Sequence, residues 1–204
     1  MKTFSIGQAL SFGWNSVKNN FFFFAGLQLA SVCIVLSFIL LQLFIPKDQG
    51  IIKILIYLIE RIVDMGLTLG IIHIMIKTVD GKKTAFSELF SQFKAGLLLN
   101  YIGASIAYGL GAVVGFILLV IPGIIVLIRY GFYSYALVDK GVNGLDVLKI
   151  SWSITKGNTI KLFLFGVVTL LINILGMLAL VIGLLVTAPL SLLATAYVYR
   201  KLSA

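Results

Sequence analysis

Charge is what this sequence has least of. Of its 204 residues only 11% are Asp, Glu, Lys or Arg, while 60% are hydrophobic. A soluble domain of this length needs far more polar surface to cover its core. The mean hydropathy of +1.12 therefore predicts a multi-pass membrane protein. Cysteine and histidine are nearly absent, as single residues at Cys33 and His73. One cysteine excludes an intramolecular disulfide and a cysteine-based metal site. One histidine excludes paired-His metal motifs. The chain has no P-loop, no dinucleotide glycine fingerprint, no H-E-x-x-H and no G-x-S-x-G. An intramembrane Asp pair suited to acid–base chemistry is not evident either. No catalytic, cofactor-binding or metal-binding residue is therefore assigned, and no enzyme activity is expected.

Acidic residues are also few, 7 against 16 Lys and Arg, for a net charge of +9. The lysines cluster beside hydrophobic runs. The expected partners are therefore anionic lipid headgroups on the cytoplasmic side of a membrane, not nucleic acid.

Crossing a hydrocarbon core takes about 20 apolar residues. On that criterion the sequence predicts six spans, at about 21–45, 54–79, 97–120, 122–138, 160–180 and 182–200. They pair into three hairpins. Pro46 stops the first span, and Ile121-Pro122-Gly123 bends the third into the fourth. Six spans put both termini on one side. Twelve of the sixteen basic residues fall on that side, among them Lys2, Lys18, Lys82, Lys83, Lys156 and Lys201, against Lys47 and Lys53 opposite. The bias predicts cytoplasmic N- and C-termini. The first run follows an amphipathic stretch and lacks a small-x-small cleavage site, so it is expected to be retained and not removed as a signal.

The segment "QALSFGWNSVKNN" (8–20) aligns with "DVLKISWSITKGN" (146–158) at an offset of 138. Gln8, Ser11, Asn15 and Lys18 are spaced 3, 4, 3, as are Asp146, Lys149, Ser153 and Lys156. At about 100° per residue each set occupies one narrow helix face. These stretches predict amphipathic interfacial helices over 4–20 and 143–158, anchored by Trp14 with Lys18 and by Trp152 with Lys156. A weaker third copy is expected over 84–95, where Phe86, Leu89, Phe90 and Phe93 share a helical spacing and Thr84 is the candidate N-cap. The implied unit is an interfacial helix followed by a transmembrane hairpin, used three times. Chance likeness between amphipathic helices is the alternative.

Four charged residues fall inside spans: Glu60, Arg61, Asp64 and Arg129. Ionised groups in lipid cost several kcal/mol unless paired or hydrated. Matching depths predict a pair between Arg129 and Glu60 or Asp64, and i, i+3 spacing allows an Arg61–Asp64 pair. The cluster reads either as helix-joining ion pairs or as a substrate, proton or ion site. Gln28, Gln42, Asn100 and Asn173 are expected to bond across helices, and Gly66-x-x-x-Gly70 and Gly111-x-x-x-Gly115 to permit close helix approach, within the chain or in a homo-oligomer.

The stretch "ILLVIPGIIVLIRYGFYSYALVDKGVNGLDVLKISWSITKGNTIKLFLF" (117–165) joins an apolar IPG turn, an Arg-aromatic span, Asp before a glycine-containing loop, and an L-x-x-S-x-x-x-x-K-G helix. In this form it resembles the membrane domain of glycerophosphoryl diester phosphodiesterases and the YciC-type bacterial inner-membrane proteins. Ile121, Pro122, Gly123, Arg129, Asp139, Leu148, Ser151, Lys156 and Gly157 carry the resemblance. It implies an all-α bacterial plasma-membrane protein of about six helices. Catalysis is not implied, because in those phosphodiesterases the chemistry belongs to a separate soluble domain. Two functions are expected to compete: a non-catalytic protein organising lipids or membrane partners, and a small transporter, channel or lipid-handling protein working through Asp64 and Arg129.

Overall fold

The computed structural model describes residues 2–46, 48–142, 144–179 and 182–204. Among these the chain is helical without strands. In order come α1 (Ile6–Asn19), α2 (Phe21–Phe44), α3 (Gly50–Val79), a short 3-10 helix (Phe86–Phe90), α4 (Ala95–Leu118), α5 (Val120–Tyr130), α6 (Tyr133–Lys140), α7 (Asp146–Ile154), α8 (Thr159–Leu178) and α9 (Leu184–Ser203). Four segments are long and apolar enough to cross a membrane: α2, α4, Val120–Lys140 and α8. The remaining long helices differ from these in composition. Charged residues recur along α3, which contains Lys53, Glu60, Arg61, Asp64 and Lys77. Polar residues interrupt α9, at Thr187, Ser191 and Thr195 before Arg200 and Lys201.

Local chemistry sets the ends. The Ser5 hydroxyl caps α1 by accepting from the Gln8 amide at 3.4 Å. Asn20 leaves the helical region (φ −134, ψ 42), so α1 and α2 meet at an elbow. Leu119 is extended (φ −168, ψ 157) and separates α4 from α5. Pro122 lies in the first turn of α5, where its missing N–H costs no helical bond. The bend expected at 121–123 thus falls one turn earlier. Gly115 and Gly123 close this hairpin, since a Cβ on Gly115 would stand 2.9 Å from the Gly123 Cα.

Burial is polarised along the bundle. At the end where α3, α6 and α9 finish, Leu69, Ile74, Leu137, Leu193, Val198 and Tyr199 are almost fully enclosed. Towards the opposite end large apolar side chains stand exposed, including Leu43, Phe44, Ile51, Ile117, Ile121 and Leu178. Apolar surface left out of the core in this way, on helices of spanning length, fits a lipid solvent.

Three short elements brace the enclosed end. α1 runs antiparallel along α9, with Phe12 stacked on Tyr197 at 5.2 Å and Gly13 against the backbone of Leu190 and Ala194. The 3-10 helix packs on α3, and α7 packs on α5 and α6.

Two local expectations are revised. The helix expected over 84–95 is the five-residue 3-10 helix, followed by extended Lys94. Thr84 provides no cap. Leu89 and Phe93 are instead held at two glycine notches of α3, Leu89 backbone against Gly70 and the Phe93 ring against Gly66. Gly66 and Gly70, like Gly115 of the second pair, therefore serve packing within the chain. The span expected over 122–138 is two helices, broken at Gly131-Phe132. Ser151 of α7 makes the break tolerable. Its hydroxyl accepts from the Phe132 amide at 3.1 Å and donates to the Arg129 carbonyl at 2.8 Å. The Thr155 hydroxyl donates to the Ser151 carbonyl one turn back, at 2.8 Å. Asn143, the first residue of the helix expected over 143–158, lies outside the described residues, as do Leu180 and Val181 near the last hairpin turn.

Candidate functional site

The four charges expected inside spans do not form one cluster. Glu60 is buried on α3, and its carboxylate accepts from Arg61 Nη2 at 2.5 Å and from Gln42 Nε2 of α2 at 3.3 Å. The Arg61 guanidinium also lies 5.4 Å from the Tyr57 ring centre. This set ties α2 to α3 and leaves Arg61 on Glu60, not on Asp64. The Asp64 carboxylate has no hydrogen bond or ion pair to any described residue. It borders a cavity of about 300 Å³ between α2 and α3, with Gln28, Ser31 and Thr68 as polar neighbours.

Arg129 corrects the sequence reading. It pairs with neither Glu60 nor Asp64. Its Nη2 donates to the Trp152 carbonyl at 2.7 Å, and the guanidinium stacks 3.8 Å above the Trp152 ring. The reason is lateral. α5 packs on α4, α7 and α8, so equal depth does not bring Arg129 beside α3. Asn173 of α8 donates to the Ser191 hydroxyl of α9 at 2.9 Å, a bond across helices as expected. The Asn100 side chain accepts from the Gly144 amide at 2.9 Å. Asp64, Arg129 and Asn173 thus stand in three different places.

The two polar stripes behave as a matched set. Gln8, Ser11, Asn15 and Lys18 are all exposed, and so are Asp146, Lys149, Ser153 and Lys156. The opposite faces are buried: Ala9, Gly13 and Val17 on α1, and Val147, Ser151 and Thr155 along α7 and its C-cap. Each buried position lies at the same offset from its counterpart as the polar stripes do. Trp14 is half-exposed, and Trp152 lies beneath Arg129 beside Tyr130. Lys149 reaches Asp146 at 2.8 Å along its own stripe, and that carboxylate holds the ammonium pKa above its usual value.

One site escaped the sequence reading. Arg200 near the end of α9 grips Asp80, just past α3, through two bonds of 2.7 Å from Nε and Nη2. Its Nη1 donates to Asp139 of α6 at 2.6 Å, and Tyr199 donates to the same carboxylate at 2.8 Å. One guanidinium therefore ties the ends of three helices together, in the bidentate geometry that makes Arg–carboxylate pairs strong. A faint signal was present. Val79-Asp80 and Val138-Asp139 place two of only seven acidic residues at span ends otherwise dominated by lysine.

The motif positions also acquire structural roles. Ser151 bonds Arg129, Asp139 bonds Arg200, and Gly157 takes the left-handed conformation (φ 83) that ends the α7 segment. Among the described residues no group of three or more His, Cys, Asp and Glu side chains is placed to hold a metal. Comparison of the chain with protein-family models, with characterised proteins and with solved structures finds no significant match.

Proposed function

We propose that this is a non-catalytic multi-pass protein of the bacterial plasma membrane that gathers anionic lipid at its basic face. The observation that carries the reading is the pair of clamped amphipathic helices. α1 and α7 bury one face against the bundle and present lysine-bearing stripes outward, with Trp14 and Trp152 beside them. An interfacial helix fixed in this way holds its charges at a set height instead of floating on the bilayer. The resemblance to the membrane domains named above agrees with this reading, since it implies no chemistry of its own.

The same reading has six spans and cytoplasmic termini. α3 and α9 are then the second and sixth spans. At 1.5 Å per residue, their 30 and 20 residues reach about 45 and about 30 Å, enough to cross the hydrocarbon. α3 is long enough to project beyond it. A threefold internal repeat is supported by the bracing pattern, in which each leading element packs on the second span of another unit: the 3-10 helix on α3, α7 on α5–α6, and α1 on α9.

Extraction into polymer-bounded native discs tests the lipid reading. Phosphatidylglycerol and cardiolipin are expected to be enriched over the bulk membrane. Lys18→Gln combined with Lys156→Gln should weaken the attraction behind that enrichment by up to roughly 30-fold, at about 1 kcal/mol per lysine near the surface. Discs with the bulk lipid ratio would contradict it. The second reading, a small transporter or lipid-handling protein, is favoured by one observation, the unpaired Asp64 carboxylate in its polar-edged cavity. Flux into proteoliposomes that disappears with Asp64→Asn would select it.

A further inference from the structure

We propose that the groove between α5 and α8 holds one anionic phospholipid, with its phosphate against Arg129 and an acyl chain along Ile121, Ile125 and Phe163. This deepens the lipid reading and rests on it. The groove encloses about 480 Å³, and its wall is apolar except for Arg129 and Thr159. Both polar residues stand at one end, because Arg129 closes α5 and Thr159 opens α8. Ile125 and Ile121 follow at about 6 and 12 Å back along α5. The groove is therefore amphipathic along its length, as a phospholipid is.

Charge complementarity selects the headgroup. The chain has three arginines. Arg61 holds Glu60, and Arg200 holds Asp80 and Asp139. Arg129 has no carboxylate partner among the described residues. Trp152 takes one of its Nη2 donors and fixes the guanidinium plane. Its Nε is buried without an acceptor, whereas its Nη1 is accessible, makes no hydrogen bond to a described residue, and is the donor an incoming oxygen can reach. The first turn of α8 adds to the attraction. Asn158 does not cap it, because its side chain donates to the Lys2 carbonyl at 2.8 Å. The leading N–H groups of α8 are thus left for an anion. A free anion would satisfy these donors and leave the isoleucine wall bare. A phospholipid covers both.

Trp152 is the reporter. Trp14→Phe leaves it as the sole tryptophan, because the chain has two. This protein is reconstituted in phosphatidylcholine vesicles carrying brominated phosphatidylglycerol or, separately, brominated phosphatidylcholine. Half-maximal quenching of Trp152 is expected at a mole fraction of phosphatidylglycerol roughly five-fold lower than of phosphatidylcholine. Arg129→Gln should remove the preference and Arg129→Lys should keep part of it. Inorganic phosphate should not relieve the quenching. Equal quenching by the two lipids with Arg129 intact overturns the groove, and relief by phosphate overturns the lipid as its occupant. A Trp152→Phe protein, reporting from Trp14, separates the two levels of the argument. Preference at Trp14 alone removes the groove and keeps the broader lipid reading, whereas preference at neither removes both.

Discussion

Gly70→Ala is expected to dislodge the 3-10 helix from α3. A Cβ at this position would stand 2.0 Å from the Leu89 carbonyl oxygen and 2.7 Å from its carbon. These are backbone atoms, so no rotamer change relieves the clash. Leu89 itself is enclosed, and Lys77 pairs with Glu88 beside it, so the turn cannot shift without opening both contacts. Overpacking of this kind costs about 3 kcal/mol, which for a chain of this size lowers the midpoint of thermal unfolding by roughly 6–12 °C. Gly103→Ala is the contrast. Gly103 lies within α4, and a Cβ there meets nothing within 4 Å. That substitution is expected to hold or raise the midpoint, since Ala is the better helix former. Detergent-solubilised protein followed by fluorescence or circular dichroism gives both numbers.

Arg200→Ala is expected to loosen the enclosed end of the bundle. It leaves Asp80 and Asp139 facing each other without their shared cation, at side-chain exposures of 22% and 15%. Removing one partner from a buried ion pair costs about 3–5 kcal/mol. The partial access of water here brings the expectation to about 2–3 kcal/mol. Arg200→Lys should recover part of this, because an ammonium cannot reproduce three directed bonds to two carboxylates. Protease cleavage near Gly81 and Gly141, the left-handed residues that follow the two aspartates, should accelerate in Arg200→Ala and not in Arg129→Gln. Cleavage unchanged in Arg200→Ala would show that the three helix ends are held by packing alone.

Helical periodicity and run length were legible in the sequence, and with them the all-α class and the long apolar helices. The two polar stripes were legible for the same reason, since 100° per residue is a local property. Lateral adjacency was not. Depth placed Arg129 level with Glu60, but nothing local states that α5 neighbours α7 and α8. The 3-10 helix was misread because four apolar residues at helical spacing look like an amphipathic face. Its true anchors, Gly66 and Gly70, lie about twenty residues earlier in the chain. The Arg200 site was hidden for a related reason. Its three helices meet only in the folded bundle, and each charged residue taken singly reads as an ordinary span end.

The central claim is that the basic, tightly packed end of the bundle faces the cytoplasm and the turns on the far side face out. Cysteine accessibility tests it most directly. The native Cys33 is exposed and is first replaced by serine. Single cysteines at Gln49, before α3, and at Lys140, at the end of α6, are then probed with a membrane-impermeant maleimide on intact cells and on inverted vesicles. The account predicts that the Gln49 site labels in intact cells and the Lys140 site in inverted vesicles. Labelling of both from the same side would contradict it.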